Sequence, residues 1–467
     1  MSTAFNAADV QGNILRGYRK PRVRYLLLEV ADRAAARRWL AACTSGRDGV
    51  PGITTEEPWI TKPETCFNIA LTYEGLRALG TPGPSLDTFP TEFKEGMSQR
   101  AVKLGDVGPS APENWPAPFK DPKRIHLIAT IYADEIAQLD NVQQQALAGA
   151  TGLNLLGKRD GFNFAGNYVH FGYRDNISQP KFAEIHDIDS LSDAQPVAPL
   201  GTVLLGYPTN FEGLTFKVPE PEALGLNGSF NAFRVLEQDV AGFETYLSTA
   251  ATYLLAHPKA DELLPPGAEA TIGNGLSRAA AMREVVAANL CGRWRNGVPL
   301  ALSPNTDNPS PPVDLTDFDF IGDSRCPYGS HIRRSNPRGG QIVQRVANHS
   351  RRLIRRGMPY GSAYDAANPE TEERGLLGNF IGANLGAQFE AVSCDWLNLG
   401  LQDPRITGSN DPLVGANDPA TSWFDLPLKS GGTIRLDGLP RLVTTRGGAY
   451  TFLPSLSAIR FLGALTN

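Results

Sequence analysis

The sequence predicts an α+β fold built from two similar halves, and three observations lead to this prediction. Apolar, β-prone runs are followed by helical patterns several times along the chain. One such unit in the first half closely matches a unit in the second half. A Pro- and Gly-rich stretch, residues 190–224, lies between the two and is typical of a connection. Each half is therefore expected to bury one face of a sheet under its helices.

The first half contains three strand-and-helix units in order. Residues 23–30 (VRYLLLEV) are followed by ADRAAARRWLAAC, whose Ala and Arg content favours a helix. Residues 66–72 (CFNIALT) precede EGLRALG, where Gly80 is a typical helix C-terminal residue. Residues 125–133 (IHLIATIYA) precede DEIAQLDNVQQQAL, for which Asp134 is the expected N-cap.

The second half repeats this pattern with SFNAFRVLEQ before DVAGFETYLSTAATYLL and NFIGANLG before AQFEAVSCDWLNLG. The matching pair is VRYLLLEVADRAAARRWL and SFNAFRVLEQDVAGFETYL. Each combines a strand, an acidic helix start and an amphipathic helix. We therefore expect two domains, residues 1–195 and 196–467.

Composition and charge exclude several classes of protein. The 467 residues carry 44 Lys and Arg against 49 Asp and Glu, a net charge of −5, and there is no basic block of the kind that binds nucleic acid. No apolar run approaches the ~20 residues that span a membrane, and no signal-peptide pattern opens the sequence, so we expect a cytoplasmic protein without membrane partners. Five widely separated cysteines indicate reduced, mostly buried thiols.

Common catalytic signatures are absent from the sequence. Its six histidines form no HExxH motif, and neither GxSxG nor a Walker A loop nor a strand-linked GxGxxG occurs. Metalloprotease, α/β-hydrolase and nucleotide-binding interpretations therefore lack their defining residues.

Two segments remain as candidates for chemistry. In residues 157–180, a strand-like NYVHFGY leads into a turn at Asp175, which is suited either to acid–base work in a pocket or to an ordinary Asx-turn. Residues 326–340 (CPYGSHIRRSNPRGG) and 351–361 (RRLIRRGMPYG) place His331 beside many arginines. This pattern fits a metal ligand near an anion-binding cluster, or else a solvated surface. Spacing alone does not decide between these interpretations.

Five segments in the same order resemble the dye-decolourising peroxidases, which are haem enzymes. They are DVQGNILRGYRK, FGYRDNISQP, SHIRRSNPR, LIRRGMPYG and GGAYTFLPSLSAIRFL, and together they span almost the whole chain. The resemblance implies two ferredoxin-like domains with antiparallel sheets and peripheral helices, with one haem b per chain held mainly by the C-terminal domain.

The resemblance also implies roles on the proximal side of the haem. His331 matches the axial ligand of the iron. Glu390 matches a carboxylate that would hold the other ring nitrogen of that ligand and so make the imidazole more electron-donating. Arg333 would pair with a haem propionate, whereas Arg334 and Arg338 are expected to be surface or structural residues.

On the distal side, Asp175 would move a proton between the two peroxide oxygens. Arg355 would stabilise the developing negative charge, with Arg356 as the competing assignment. Asn176 and Ile177 are expected to contact the cofactor.

Two positions depart from the resembled family. Asn176 replaces a usual Gly, and Asn can keep a left-handed turn. Gly378 stands where the family commonly has a bulky apolar residue, which predicts a roomier or more mobile distal pocket.

Two other histidines compete for the iron. His170 matches a strand position in the family and is expected to be structural. His349 lies in an arginine-rich stretch and matches no ligand role.

The function that the resemblance implies is a haem peroxidase that uses hydrogen peroxide to oxidise dyes, phenolics or other bulky organic reductants. The alternatives are a haem-binding or iron-handling protein on the same scaffold and a non-haem α+β interaction protein. Retention of Asp175 and Arg355 favours the enzyme, because haem storage requires neither. The sequence does not specify the oligomeric state.

Overall fold

A computed structural model describes residues 4–188, 196–340, 342, 349–368 and 372–466. The first half contributes four antiparallel strands: β1 (Arg22–Val30), β2 (Thr65–Leu71), β3 (Leu127–Ala133) and β4 (Leu153–Phe162). They lie side by side in the order β4-β1-β3-β2. This is the strand order of a ferredoxin-like unit, as expected.

The second half repeats this order with different strands. These are β5 (Ser229–Gln238), β6 (Ile354–Arg355), β7 (Met358–Tyr360), β8 (Gly375–Gly382), β9 (Trp423–Pro427), β10 (Thr433–Asp437) and β11 (Val443–Leu453). Strands β11, β5, β8 and β6 lie side by side in this order, which corresponds to the order β4-β1-β3-β2 of the first half. Strand β7 also pairs with β8. Strands β9 and β10 form a separate hairpin. The two halves join where β11 meets β2, at Phe452 and Leu71.

Helices cover the sheet and fill the connections. They are α1 (Arg33–Cys43), α2 (Tyr73–Ala78), α3 (Gly83–Asp87), α4 (Thr91–Glu95), α5 (Ala101–Leu104), α6 (Ile136–Ala148), α7 (Glu222–Gly225), α8 (Val240–Ala256), α9 (Ala260–Leu263), α10 (Arg278–Cys291), α11 (His331–Ser335) and α12 (Leu456–Gly463). Two π-helical stretches, Leu385–Glu390 and Val392–Asn398, follow β8.

The predicted matching pair is confirmed as β1–α1 and β5–α8. Each helix begins after an aspartate whose side chain accepts a backbone N–H three residues on: Asp32 caps α1 and Asp239 caps α8. The predicted N-cap of α6, Asp134, is wrong by one residue. Glu135 is the N-cap and forms a capping box with Gln138.

Two hydrophobic clusters support the fold. One runs under the sheet of the first half and into β5, β8 and β11. The other is formed by α8, α10 and the β9–β10 hairpin, and the start of α11 lies beside it. The predicted domain boundary after residue 195 falls at residues 189–195, which lie outside the described residues, and it stays a prediction.

All five cysteines are free thiols, and four of them are buried, as expected. Within the described ranges, none of the helices combines the length and the apolar character needed to cross a membrane. The cytoplasmic location stays a prediction.

Candidate active site

His331 is the first residue of α11, and the turn before it is fixed to a neighbouring helix. The hydroxyl of Ser330 donates to the carbonyl of Asn289 in α10 at 2.6 Å. The backbone N–H of Arg334 donates to the carbonyl of Ser330, which closes the first turn. The imidazole therefore projects from a short helix that the second hydrophobic cluster supports, and 26% of its side chain stays exposed.

One imidazole nitrogen of His331 is bonded to a buried carboxylate. Its Nδ1 lies 3.0 Å from Oδ2 of Asp411, whose side chain is fully buried. The other carboxylate oxygen accepts the backbone N–H groups of Leu413 and Val414 at 2.9 and 3.0 Å, so the carboxylate cannot rotate away. Among the described residues, Nε2 of His331 has no hydrogen-bond partner.

His331 and Asp411 each favour the charged form of the other. Burial raises the pKa of Asp411, but the charge and hydrogen bond of His331, together with the charge of Arg334 and the N–H of Val414, hold that pKa below its ordinary value. Burial lowers the pKa of His331, yet the charge and hydrogen bond of Asp411, helped by the charge of Asp175, make the net shift of that pKa upward. An ionised Asp411 facing Nδ1–H fixes the tautomer that leaves a lone pair on Nε2.

The expectation that Glu390 holds His331 is wrong. Glu390 is completely buried, but its carboxylate receives Nε and Nη2 of Arg100 at 2.9 and 2.7 Å and the hydroxyl of Tyr450 at 3.0 Å. Lys103 lies 3.2 Å away. Both oxygens of Glu390 are therefore used in tying α5 and the segment before it to β11, and Asp411 takes the place next to His331.

The Asp175 turn is attached to two neighbouring segments by its backbone. The N–H of Asp175 donates to the carbonyl of Asn167 at 2.8 Å, and the N–H of Arg174 donates to the carbonyl of Arg295 at 2.8 Å. The side chain of Asp175 is exposed. Asn176 adopts φ 60°, so the left-handed turn expected there is confirmed.

Ile177, the next residue in this turn, packs towards Gly297. A Cβ on Gly297 would lie only 2.6 Å from Cδ1 of Ile177. Gly297 also has φ +100°, so both the space and the backbone at this position require glycine. This contact seats the turn on the loop after α10, and nothing in it assigns Ile177 to the cofactor.

Arg355 projects from the two-residue strand β6. Its side chain is exposed, and its Nη2 donates to the carbonyl of Ser178 at 2.8 Å. Arg356, the competing assignment, points elsewhere: Nε donates to the carbonyl of Asn13 at 2.8 Å and Nη2 to those of Ile14 and Leu15. The geometry therefore favours Arg355 as the arginine available to a ligand.

The structure brings His331, Asp175 and Arg355 into one electrostatic neighbourhood. The charges of Asp175 and Arg355 both act on the pKa of His331, in opposite directions. The same two charges act on Arg293, whose pKa burial lowers to about 10. An acid, a cation and an imidazole therefore lie within electrostatic range of one another, although 180 residues separate Asp175 from Arg355 along the chain.

The guanidinium of Arg333 is already bonded within the protein, in contrast to the expectation that it pairs with a haem propionate. Its guanidinium is buried, with Nη1 donating to the carbonyl of Cys326 at 2.6 Å and Nη2 to that of Asp323 at 3.0 Å. It also stacks 4.0 Å from the centre of the Tyr328 ring. These contacts hold the loop before α11, so a propionate partner at Arg333 is not supported.

Arg334 and Arg338 are structural, as expected. Arg334 is 1% exposed and donates to the carbonyls of Gly329, Trp396 and Ser409. Arg338 is 3% exposed and donates to the carbonyls of Thr316 and Phe318.

The space beside Gly378 is filled, so the extra room predicted from this glycine is absent at this position, whereas a more mobile distal pocket stays a prediction. A Cβ at this position would lie 2.5 Å from Cε2 of Phe380 and 3.5 Å from Cβ of Arg234. Residues two apart in a strand share one face of the sheet, so the ring of Phe380 covers the site that a side chain on Gly378 would fill. Phe380, in the same strand, therefore fills the space that a side chain at position 378 would occupy.

The two competing histidines have other surroundings. His170 is buried, and its Nε2 lies 2.8 Å from the carbonyl of Tyr360, in agreement with a structural role. His349 lines a cavity of about 200 Å³ with Arg352 and Asn210. In the described parts of the chain, neither imidazole is paired with a carboxylate, in contrast to His331.

Sequence reasoning did not identify Asp411, Ser178 or Gln179. Asp411 precedes Pro412 in a turn, and Gln179 precedes Pro180, so both looked like ordinary loop residues. Their partners lie 80 and 176 positions away in the sequence. Only the fold brings them together.

The donor set fits haem. An axial histidine ligand needs one free ring nitrogen and gains basicity when its other nitrogen bonds a carboxylate, which is the arrangement at His331 and Asp411. The exposed Arg355 and Asp175 provide a cation and an acid–base group in the same neighbourhood.

Comparison with known proteins finds dye-decolorizing peroxidases over almost the whole chain. The model of a family described as "DyP dimeric alpha+beta barrel domain" matches residues 9–152. The dye-decolorizing peroxidase msp1 of Mycetinis scorodonius is 30% identical, over 98% of this chain and 88% of its own length. A solved dye-decolorizing peroxidase variant in complex with cyanide is 26% identical, with a TM-score of 0.80, and covers 99% of this chain and 100% of its own. Another, in complex with 2,6-dimethoxyphenol, is 25% identical, with a TM-score of 0.79 and the same coverage.

Proposed function

The chain belongs to the dye-decolourising peroxidase family and is a peroxidase, and from this premise we propose how its own residues divide the work. His331 binds the iron of one haem b per chain through Nε2. Asp175 transfers the proton of the peroxide, and Arg355 stabilises the negative charge that develops. The observation that carries this proposal is the bond between Nδ1 of His331 and the buried Asp411, since it leaves Nε2 as the free donor.

Bound haem would supply the iron that takes up hydrogen peroxide and accepts its oxidising equivalents. Asp411 orients the imidazole and makes it more electron-donating, because an ionised carboxylate at Nδ1–H pushes charge towards Nε2. Its own contacts with Leu413 and Val414 keep that carboxylate in place.

The distal residues act on the peroxide itself. A carboxylate oxygen of Asp175 would accept a proton from one peroxide oxygen and donate it to the other, so that the second oxygen can leave as water while bound haem supplies the two electrons that this cleavage needs. The guanidinium of Arg355 would stabilise the charge on the departing oxygen, because arginine carries a delocalised positive charge and offers several N–H donors. Hydrogen bonds hold the backbones of Asp175 and Arg355 in place. The two side chains therefore need little rearrangement before the proton transfer.

Organic reductants complete the cycle. One solved relative is a complex with 2,6-dimethoxyphenol, and we propose phenolics together with dyes as the reducing substrates of this chain. Hydrogen peroxide is the proposed oxidising substrate.

The test is stopped-flow mixing of the haem-loaded protein with hydrogen peroxide. Asp175→Asn and Arg355→Leu should retain haem but react about 10²- to 10⁴-fold more slowly. Asp425→Asn and Arg435→Leu, which remove the two members of an ion pair on the β9–β10 hairpin, serve as matched controls and should react normally. Wild-type protein that binds haem but shows no reaction with peroxide would indicate a haem-binding protein instead.

A further inference from the structure

We propose that Gln179 is a positioning residue that fixes Arg355 relative to Asp175, an inference that rests on the proposed function. Its side-chain amide forms two hydrogen bonds with the backbone of Arg355. Nε2 donates to the carbonyl of Arg355 at 2.9 Å, and Oε1 accepts the N–H of Arg355 at 3.1 Å. The Gln179 side chain therefore hydrogen-bonds both the N–H and the C=O of Arg355, the residue that carries the guanidinium.

The strand geometry explains why this contact is needed. Strand β6 is only two residues long and lies at the end of the sheet order, with β8 on one side. The N–H of Arg356 donates to the carbonyl of Asn379 in β8 at 2.9 Å, whereas the N–H of Arg355 points the other way, to Gln179. Successive residues of an antiparallel strand direct these groups to opposite sides. Without Gln179, the backbone of Arg355 would form an open sheet edge.

The neighbouring residue also holds the guanidinium. The carbonyl of Ser178 accepts Nη2 of Arg355 at 2.8 Å, and the hydroxyl of Ser178 receives Nη2 of the buried Arg338 at 3.3 Å. Residues 178 and 179 therefore bind Arg355 at its backbone and at the tip of its side chain. Both ends of the arginine are fixed by one short segment.

This segment is continuous with the Asp175 turn. Gln179 lies four residues after Asp175, and the turn itself is anchored by the bond from the N–H of Asp175 to the carbonyl of Asn167. The acid and the cation come from distant parts of the chain, and Gln179 and Ser178 link their two segments, Gln179 through its side chain and Ser178 through its carbonyl. The Gln179 amide therefore sets where the backbone of Arg355 lies, and the carbonyl of Ser178 sets the tip of its side chain.

The experiment uses Gln179→Met, which keeps the length of the side chain but removes both hydrogen bonds, and Gln179→Glu, which keeps only the acceptor for the Arg355 N–H. Gln144→Met, at an exposed position on α6, is the matched control. Two quantities are measured on the haem-loaded proteins: hydrogen–deuterium exchange of the Arg355 amide and the dissociation constant of cyanide. Equal Soret absorbance checks that haem loading is unchanged.

We expect Gln179→Met to speed amide exchange at Arg355 and to weaken cyanide binding, each by about tenfold, because a displaced guanidinium stabilises an anion less well. Gln179→Glu should lie between Gln179→Met and the wild type. Combining Gln179→Met with Arg355→Leu should weaken cyanide binding no further than Arg355→Leu alone, since the effect passes through Arg355.

Normal exchange and normal cyanide affinity in Gln179→Met would overturn the inference, as would additive effects in the double variant. If Arg355→Leu weakens cyanide binding while Gln179→Met does not, the proposed function stands and only the positioning role fails. If Arg355→Leu leaves cyanide binding and the peroxide reaction unchanged, the role of Arg355 in the proposed function fails, and the inference fails with it.

Discussion

Nδ1 of His331 lies 3.0 Å from Oδ2 of Asp411, a carboxylate with no exposed surface. The other oxygen of Asp411 is held by two backbone N–H groups, so the pair has one geometry. This relationship distinguishes His331 from His170 and His349, and it gives the first prediction.

Asp411→Asn should weaken haem binding by about 10- to 100-fold, the usual effect of losing a carboxylate behind a metal-bound histidine. The amide keeps an oxygen for the N–H groups of Leu413 and Val414, so the loop should still fold. Titration of the haem-free protein with haem measures the change, and Asp425→Asn on the β9–β10 hairpin is the control. Equal affinities in Asp411→Asn and wild type would contradict the role assigned to Asp411.

Replacing Arg356 should affect stability rather than the distal chemistry. Arg356 donates to the carbonyls of Asn13, Ile14 and Leu15 and so holds the N-terminal segment against β6. Arg356→Ala should lower the free energy of unfolding by about 2–4 kcal/mol, as expected from three lost hydrogen bonds. Arg355→Leu, at an exposed side chain, should change it by about 0.5 kcal/mol or less. Urea denaturation compares the two, and the opposite order would assign the available arginine to position 356.

Gly378 and Phe380 give a packing prediction. Since a Cβ at 378 would lie 2.5 Å from the ring of Phe380, Gly378→Ala should destabilise the protein by about 1–3 kcal/mol. Gly378→Ala combined with Phe380→Leu should recover part of that loss, because the smaller side chain yields space. Thermal unfolding of both single variants and the double variant tests this. Gly378→Ala at full stability would restore the idea of open space at this position.

Glu56 predicts a pH dependence of stability. It is 2% exposed, and burial raises its pKa to about 7 although the N–H groups of Leu15 and Arg16 lower it. A carboxyl whose pKa is raised on folding binds more protons in the folded state, so the free energy of unfolding falls as the pH rises from about 4.5 to about 7. The loss is on the order of 3 kcal/mol.

The Glu56→Gln variant isolates this effect. Its side chain does not titrate, so the stability of the wild type relative to the variant should decline between pH 5 and pH 8. Denaturant unfolding of both proteins at the two pH values gives this difference directly. A difference that does not change with pH would show that Glu56 keeps an ordinary pKa.

The parts of the fold that the sequence predicted correctly depend on local patterns. The β1–α1 and β5–α8 units combine apolar runs with an aspartate at the helix start, and both features act within a few residues. Resemblance to a family then drew attention to His331, Asp175 and Arg355. In the structure, the charges of Asp175 and Arg355 both act on His331.

The remaining features depend on tertiary contacts. Asp411 lies 80 residues from His331, and no pattern near either residue indicates the pair. Glu390 was misassigned because its burial with Arg100 and Tyr450 is visible only in the fold. The effect of Gly378 depends on the direction in which the ring of Phe380 turns, which the sequence does not specify.

The most direct test of the account is the absorption spectrum of haem-loaded His331→Ala, recorded with and without added imidazole. The variant should lack the Soret spectrum of a histidine-ligated haem, and imidazole, which replaces the missing ring, should restore it. Asp175→Asn should keep the wild-type spectrum under the same conditions. An unchanged histidine-ligated spectrum in His331→Ala without imidazole would contradict the assignment of His331 and the site built on it.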